Sequence, residues 1–363
     1  MTSGAVATAR SAGVPPLSDG ALAPTISTDV TPSEWDDYVG RHAEATGDHL
    51  WAWRGIFETV FGQRCLYFGA RRGTTLVGVL PVVLFQSRVF GRFATSLPFL
   101  NYGGLLADDT VVAAALVERA TAVAASFRAT HLELRHQRQQ LDRLPCRRHK
   151  VGLVLPLPDT VEALWTQIDR KVRNQVRKAQ KASLQVVAGG PELVAPFYDV
   201  FAENMRDLGT PVYPRRLFEE TLRAFQDRAH VVVVRQGTET LAGAVAIRFR
   251  DTVLVPWASS RRAYRHLCPN MLLYWALLER AVADGVTAFD FGRSSPGAGT
   301  HQFKLQWGAR ETPLAWEYVM MSGLEPPDHG PSNPKFRLAI EAWKRLPLSV
   351  SNRLGPWIAG HLP

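Results

Sequence analysis

The chain of 363 residues is long for a single hydrophobic core, so two domains are expected. It is 46% hydrophobic and 21% charged, which is a globular composition, and no run of about 18 apolar residues predicts a membrane span. The three cysteines, Cys65, Cys146 and Cys268, are far apart and form no C-x-x-C motif. This spacing supports neither a disulfide framework nor a zinc site, and it favours a reducing cytoplasm.

The chain is basic, with 42 Lys and Arg residues against 33 Asp and Glu residues and a net charge of +9. A basic excess of this size favours an anionic partner such as a phosphate ester, RNA or a membrane surface. It carries no information about the fold.

The first half of the chain predicts the order strand, strand, loop, helix, strand. Residues 1–26 are rich in Ala, Gly, Ser and Pro without a continuous apolar region, which is typical of a disordered leader. A capped helix is expected to begin near Thr31. Residues 64–86 predict two strands with a turn between them, and an Ala-rich helix over 110–128 precedes a strand over 130–136.

The second half repeats this order of elements without a repeat in sequence. It predicts a strand over 151–157, a charged helix over 160–182, a helical pair over 191–227, three strands over 229–260, a helix over 269–285 and a strand over 286–292. The tail predicts one amphipathic helix followed by apolar residues between prolines: Leu346, Leu348, Leu354, Trp357 and Ile358. These are expected to dock on one of the domains, with a membrane surface as the alternative.

A Gly-, Ser- and Pro-rich loop ends the last of these strands and places Lys304 between Phe303 and Trp307. Lys304 could stabilise a developing oxyanion as a fixed cation, or it could simply extend to water. Asp290 and His301 are candidate proton carriers, against the simpler readings of an outward-pointing strand residue and a surface-loop histidine. Asp108 and Asp109 follow the Gly103-Gly104 break and are more typical of loop or N-cap acids.

Two basic segments are candidates for anion binding. The helix over 160–182 carries six cations on its outer face: Arg170, Lys171, Arg173, Arg177, Lys178 and Lys181. This stripe is either a solvated face or a polyanion site. Arg261, Arg262 and Arg265 precede the helix at 269–285, where the free N–H groups of a helix start favour an anion. Trp257, at the end of the preceding strand, is expected to line a cleft.

Together, residues 168–187, 257–294 and 301–310 resemble the FemAB family of the GNAT superfamily, most closely the FemAB-like proteins associated with exosortase/PEP-CTERM and exopolysaccharide loci. The resemblance covers about residues 28–363. It implies an α/β (α+β) fold of tandem GNAT-like domains, each with a mixed, mostly antiparallel sheet flanked by helices. It also implies a first domain over 27–150, completed by 312–363, and a second domain over 151–311.

The resemblance implies an acyltransferase. Fem ligases transfer an amino acid from aminoacyl-tRNA to an amine of a peptidoglycan precursor. By that analogy, this chain would be a cytoplasmic enzyme, or one at the inner face of the membrane, that acylates an amine on a cell-envelope or exopolysaccharide precursor. No bound cofactor, metal or DNA partner is expected, and peripheral membrane contact stays open. Lys304 would stabilise the transition state, Trp257 would line the acceptor cleft, and Asp108 would be a base candidate.

The remaining site residues are candidates for substrate binding: Asn101, Tyr102, Arg206, Tyr213, Ser259, Arg261, Tyr264, Arg293 and Phe303.

Two departures from the family bear on the donor. The turn before the helix at 269–285 lacks the glycines typical of acyl-CoA users, and "RDLGTPVYPRR" stands where true Fem ligases have an Arg-Asp-Gly-Phe run. Aminoacyl-tRNA and acyl-CoA therefore both stay open as co-substrates. The alternatives are an ordinary acyl-CoA N-acyltransferase and a non-catalytic RNA- or polysaccharide-assembly module.

Overall fold

The computed structural model describes residues 23–87, 90–321, 325–326 and 334–362. Most of the predicted leader lies outside the described residues, and the first strand already begins at Thr25. None of the described helices has the length and apolar character needed to cross a bilayer.

The described residues of the first half form these strands and α-helices, in chain order. They are β1 (Thr25–Ser27), α1 (Pro32–Arg41), α2 (Ala52–Phe61), β2 (Arg64–Arg72), β3 (Thr75–Ser87), β4 (Gly91–Thr95), β5 (Leu106–Ala107), α3 (Thr110–Ser126), β6 (His131–His136) and β7 (Cys146–Arg147). The predicted capped start of α1 is present: Thr31 and Glu34 form a reciprocal capping box.

The rest of the chain forms sixteen further elements within the described residues. They are β8 (Val151–Pro156), α4 (Val161–Gln167), α5 (Arg170–Lys181), β9 (Gln185–Gly189), α6 (Val194–Leu208), α7 (Arg215–Phe225), β10 (Ala229–Gln236), β11 (Glu239–Phe249), β12 (Thr252–Ser260), α8 (Pro269–Ala283), β13 (Ala288–Ser294), α9 (Gly299–Leu305), β14 (Arg310–Pro313), β15 (Ala315–Met320), α10 (Pro334–Lys344) and α11 (Leu348–Ala359).

The two sheets repeat one pattern. The first has the order β1-β2-β3-β4-β6-β15-β7, with β5 beside β3, and the second has the order β9-β10-β11-β12-β13-β8-β14. Of the strand pairs described, only β4–β6 in the first sheet and β12–β13 in the second are parallel, and each of these pairs is joined through a helix, α3 or α8. The fold is therefore α/β, with two GNAT-like units in tandem, each a mixed and mostly antiparallel sheet flanked by helices.

The chain passes from the second sheet back to the first near residue 314. Strand β14 pairs with β8 in the second sheet, whereas β15 pairs with β6 and β7 in the first. This crossing lies close to the predicted boundary between residues 311 and 312. The first sheet is thus completed by a strand from the far end of the chain.

The structure corrects the prediction of one continuous helix over 160–182. Ile168 has an extended backbone, and Asp169 begins a new helix because its side chain accepts a hydrogen bond from Lys171 N at 2.6 Å. An aspartate in this position is a strong N-cap. The chain therefore forms α4 and α5, and the cationic stripe belongs to α5.

The tail forms two helices, where one was predicted. Its second helix, α11, contacts α6 and buries the small residues Ser351, Gly355 and Ala359, which lie on one face at a spacing of four. A Cβ on residue 355 would lie 2.9 Å from the backbone nitrogen of Val212, so the close approach requires glycine. Small residues set the docking face.

Some of the apolar tail residues that were predicted to dock are partly buried, and others are exposed to solvent. Leu346, Leu348 and Ile358 are half-buried. Leu354 and Trp357 are 46% and 60% exposed, so the prediction that they dock on a domain is wrong. They lie outside the narrow face that the small residues define.

One hydrophobic core continues from the first unit into the second. Trp53 of α2 is fully buried, its indole N–H donates to Gly47 O at 2.9 Å, and its ring lies 4.9 Å from that of Phe225 and 6.2 Å from that of Trp257. Because Phe225 and Trp257 belong to α7 and β12, this tryptophan packs the first unit against the second.

Trp53→Ala is expected to lower the free energy of unfolding by about 3–5 kcal/mol, because it empties a large buried site. Urea denaturation of the full chain measures this change. The matched control is Trp357→Ala, which removes the same side chain from an exposed position and should change stability by less than about 0.5 kcal/mol. Equal effects of the two substitutions would contradict a shared core centred on Trp53.

Candidate active site

The two units meet at the end of strand β13, where the strand is irregular. The register of β13 against β8 shifts between Asp290 and Arg293, and Gly292 within the shift has a φ of 72°. A Cβ on residue 292 would lie 2.7 Å from the side-chain nitrogen of Asn101, which belongs to the first unit. The Asn101 Oδ1 in turn accepts a hydrogen bond from Arg293 N at 3.2 Å. Glycine is required here both by its backbone angle and by this contact.

Lys304 of α9 points into this irregular strand end. Its side chain is buried, with 8% of the residue exposed, and Nζ donates to the backbone oxygens of Gly292 at 3.2 Å and Arg293 at 2.9 Å. Burial lowers the pKa of Lys304 to about 8; the charge of Asp290 opposes that shift and the charge of Arg293 adds to it. An ammonium group has three N–H donors, so two fixed carbonyls leave one for a ligand.

Asp290 supplies the opposite charge beside Lys304. It is 6% exposed, and its Oδ1 accepts hydrogen bonds from Gly292 N at 2.7 Å and from Tyr102 Oη at 3.1 Å. Burial raises the pKa of this carboxyl to about 6, while those two hydrogen bonds and Lys304 hold it down. Tyr102 comes from the first unit, so the Tyr102–Asp290 bond also joins the two units.

A second buried carboxyl, Asp48, fixes the loop that carries Asn101 and Tyr102. Its Oδ2 accepts from the backbone nitrogens of both residues, at 3.1 and 2.9 Å, and its Oδ1 has no hydrogen-bond partner among the described residues. Burial raises the pKa of Asp48 to about 7, and the charge of Asp290 acts in the same direction. Asp48 therefore positions the two first-unit residues that touch β13.

A cavity of about 290 Å³ lies beside α9. The parallel pairing of β12 with β13 ends at Leu254 and Asp290, and beyond that point the two strands continue without pairing with each other. The cavity is lined by Gln175 of α5, Ser260 and Arg265, the start of α8 from Cys268 to Met271, and Phe303 and Gln306. Helix α9 thus borders the cavity with Phe303 and the lysine site with the next residue, Lys304.

The predicted site residues fall into separate groups. The structure brings together Lys304, Arg293, Asn101 and Tyr102, and it places Phe303 at the cavity. Arg261 forms ion pairs with Glu239 and Glu203. Tyr264 donates to the same Glu239 at 2.6 Å, so these two residues hold the turn after β12.

Several other predicted residues have structural partners away from Lys304. His301 bonds Glu311 at 2.6 Å and accepts from Gly297 N, so it holds the loop. Asp108 is exposed and accepts from Tyr38 Oη at 2.8 Å. Arg206 pairs with Asp207 and donates to Leu346 O in the tail.

The remaining predicted residues pack in or against the core between the units. Trp257 is buried against Trp53 and Phe218 rather than on an open cleft. Ser259 accepts from Asn204 of α6 at 3.0 Å. Tyr213 packs against Phe99 and other aromatic rings.

The cationic stripe of α5 is solvent-facing. Arg170, Lys171, Arg177, Lys178 and Lys181 are exposed, and Arg173 is half-buried, where it donates to Trp165 O. None of the six forms an ion pair with a described residue. Among the described residues, no group of three or more His, Cys, Asp or Glu side chains is arranged to hold a metal ion.

The sequence offered Asp290 as a candidate proton carrier, whereas the second buried carboxyl, Asp48, was not predicted. The outward-pointing alternative for Asp290 is wrong, because both faces of the second sheet are covered and the side chain points toward the first unit. Its position between Phe289 and Phe291 was the available signal: with a fully covered sheet, an acid in an apolar strand requires a buried partner. Asp48 lies in a short Gly-Asp-His turn that offered no such signal.

Comparison with known proteins supports this architecture. Residues 167–305 match the family described as acetyltransferase (GNAT) domain. No curated protein matches the chain significantly in sequence.

Solved structures are similar over most of the chain. FemX is 14% identical with a TM-score of 0.63, covering 87% of this chain and 100% of FemX. The C-terminal DUF2156 domain of an Agrobacterium fabrum protein named as a lysylphosphatidylglycerol synthetase is 11% identical (TM-score 0.55; 79% and 90% covered). L-PGS from Bacillus licheniformis is 9% identical (TM-score 0.50; 79% and 90% covered).

At these identities the structural similarities establish the fold alone. The family match adds that the second unit contains the GNAT domain, and the two together point to an acyltransferase. The chain thus carries a GNAT acetyltransferase domain over residues 167–305, within a tandem fold similar to that of FemX.

Proposed function

We propose that the protein transfers an acyl or aminoacyl group to an amine, or a hydroxyl, of a cell-envelope or exopolysaccharide precursor, at the junction of its two units. The observation that carries this proposal is the buried ammonium of Lys304, held by two main-chain carbonyls beside Asp290. A fixed cation in a site of low polarity is suited to a negative charge that appears only during the reaction.

The proposed step is nucleophilic acyl transfer. The acceptor nitrogen attacks the donor carbonyl, and the carbonyl oxygen becomes an oxyanion opposite the free N–H of Lys304. When the carbonyl re-forms, the bond to the donor sulfur or oxygen breaks, and the proton lost by the amine passes to that leaving group. No side-chain base is needed for this balance. Asp290 keeps the lysine charged, and Tyr102 and Asn101 hold the first unit against the reacting centre.

Both candidate donors, aminoacyl-tRNA and acyl-CoA, carry phosphates. The 290 Å³ cavity beside Arg265 and the start of α8 supports a donor of this class, and Gln175 of α5 connects its wall to the cationic stripe. The stripe favours the RNA donor, whereas the GNAT domain match favours the thioester. An envelope acceptor agrees with the name of one similar structure, the C-terminal domain of a protein named as a lysylphosphatidylglycerol synthetase.

The function is tested by following a labelled acyl group into envelope-precursor extracts, with charged tRNA and acetyl-CoA offered in separate reactions. Transfer from charged tRNA alone would identify a Fem-type ligase. Transfer from the thioester alone would identify an N-acyltransferase. No transfer from either, together with salt-dependent RNA or polysaccharide binding that Lys304→Ala leaves unchanged, would favour the non-catalytic binding module.

Lys304→Ala is expected to lower kcat by about 10²–10³-fold, the usual loss when one preorganised oxyanion donor is removed. The measurement is transfer rate at saturating donor. Arg119→Ala is the control, because it removes an exposed cation from α3, away from the site. Unchanged turnover in Lys304→Ala would show that this lysine does not act in the reaction.

The activity is expected to fall as the pH rises through about 8, because Lys304 then loses its proton and its charge. Asp290→Asn should move this alkaline limb to lower pH. The substitution removes the negative neighbour that raises the lysine pKa, while the substrate amine titrates identically in both enzymes. Lys304→Arg provides the control, since any activity it retains should lack the limb. A limb that does not move in Asp290→Asn would contradict the coupling of the two groups.

The role of the α5 stripe is tested by the double substitution Lys178→Gln and Lys181→Gln. With charged tRNA as donor, the slope of log affinity against log salt should decrease by about 0.7–0.9 for each phosphate that the variant no longer neutralises. The matched control removes two exposed cations from α7, Arg216→Gln and Arg223→Gln. An equal change in the salt slope for both double variants would mean that the α5 stripe contributes only its general positive charge. The affinity for acyl-CoA should be the same in the α5 and α7 variants.

A further inference from the structure

A second group of cations surrounds Trp316, on the first-unit side of the lysine site. Trp316 of β15 lies opposite Arg135 of β6 in the register of the first sheet. The guanidinium carbons of Arg135 and Arg293 lie 4.4 and 5.1 Å from the centre of the Trp316 ring. Because Arg293 belongs to β13 of the second sheet, one indole ring receives a cation from each unit.

This group carries more positive than negative charge. Arg135 is paired with the buried Glu133 at 2.6 Å. Arg293 and Lys150 form no ion pair with any residue that the structure describes, although Lys150 Nζ donates to Ser295 Oγ at 2.7 Å. Burial lowers the pKa of Arg293 to about 10 and also lowers the pKa of Lys150, and in both cases the charge of Arg135 acts in the same direction. Buried cations in excess are stable when an anion joins them.

The same side chains hold unused hydrogen-bond donors. Arg135 is 2% exposed, and its Nη1 is buried without a partner among the described residues. Within the same part of the chain, the Nη1 of Arg293 and the Nε1 of Trp316 are also buried and unpaired. Each of these nitrogens can donate and none can accept, which suits an oxyanion group.

The space around the cluster indicates the direction of approach. A cavity of about 10 Å³ between Arg135 and Tyr102 has room for only about one water. Arg293 and Lys150 are half-buried, so a larger group would enter on their side. The backbone oxygen of Arg293 accepts a hydrogen bond from Lys304, while the guanidinium of the same residue would bind the anion. The anion would therefore be separated from the reacting atoms by the length of the Arg293 side chain. None of the residues around Trp316 lines the cavity proposed for the donor, which leaves this pocket to the acceptor.

We propose that Arg135, Arg293 and Lys150 around Trp316 bind an oxyanion group, a phosphate or a carboxylate, of the acceptor substrate. The assignment to the acceptor rests on the proposed function, whereas the binding of an oxyanion does not. The pocket would orient a charged precursor so that its amine faces Lys304.

The test is calorimetric titration of the full chain with inorganic phosphate and, separately, with acetate, at constant ionic strength in chloride. Saturable binding to one site is expected, and Arg293→Gln should weaken it by about tenfold or more, the usual effect of removing a hydrogen bond between charged groups. Lys150→Gln should weaken it as well and serves as the second variant if Arg293→Gln does not fold. Arg119→Gln is the control for the removal of one positive charge.

The two anions distinguish the sources. Binding of phosphate alone indicates a phosphorylated acceptor, binding of acetate alone indicates a carboxylate, and binding of both supports an oxyanion site without a preference. No saturable binding of either anion, or binding that Arg293→Gln and Lys150→Gln leave unchanged, would overturn the proposal. The titration measures anion binding and does not depend on acyl transfer. A negative titration therefore contradicts the anion site without contradicting the proposed function. Where transfer is observed, Arg293→Gln should raise the KM for the acceptor more than it lowers kcat.

Discussion

The architecture depends on keeping one ammonium charged inside the protein. An isolated buried lysine would lose its proton, because burial disfavours the charged form. Here burial lowers the pKa of Lys304 to about 8 and the charge of Asp290 opposes that shift, so most of the lysine is charged at neutral pH; its ammonium donates to two main-chain carbonyls. Those carbonyls face Lys304 because β13 is irregular at Gly292, and the irregular strand end is covered by Asn101 from the other unit.

The tandem arrangement follows from this requirement. Strand β15 returns from the second sheet to complete the first, and it carries Trp316 to the junction. Asp48 holds Asn101 and Tyr102 by their backbone nitrogens, and Tyr102 reaches Asp290. Neither sheet alone contains the charged cluster. The shared core around Trp53 keeps the two units in the one relative position in which the cluster is complete.

The sequence predicted the fold much better than the site. Long apolar strands such as β10 and β11, and helices with clear caps such as α1, follow from local patterns. Short strands such as β14 and the break at Asp169 are decided by tertiary pairing and by one capping hydrogen bond. Lys304 was identified because an unusual loop precedes it. Asp48, which holds the loop of Asn101 and Tyr102, lies 242 residues before Asp290, and no local pattern relates the two carboxyls.

The cavity proposed for the donor and the cations proposed for the acceptor share no residue, and both adjoin the Lys304 site. Phe303 lines the cavity at the start of α8, and the next residue, Lys304, donates to the backbone oxygen of Arg293, one of the cations around Trp316. In the proposed reaction, a donor in the cavity and an acceptor at the cations around Trp316 would meet beside Lys304, so neither would have to leave before the other arrives. A single carbonyl placed there would have the ammonium on one side and the acceptor nitrogen on the other. Under this proposal two substrates of like charge could occupy the site together, because separate cations would bind each of them and Lys304 would remain free for the charge that forms during transfer.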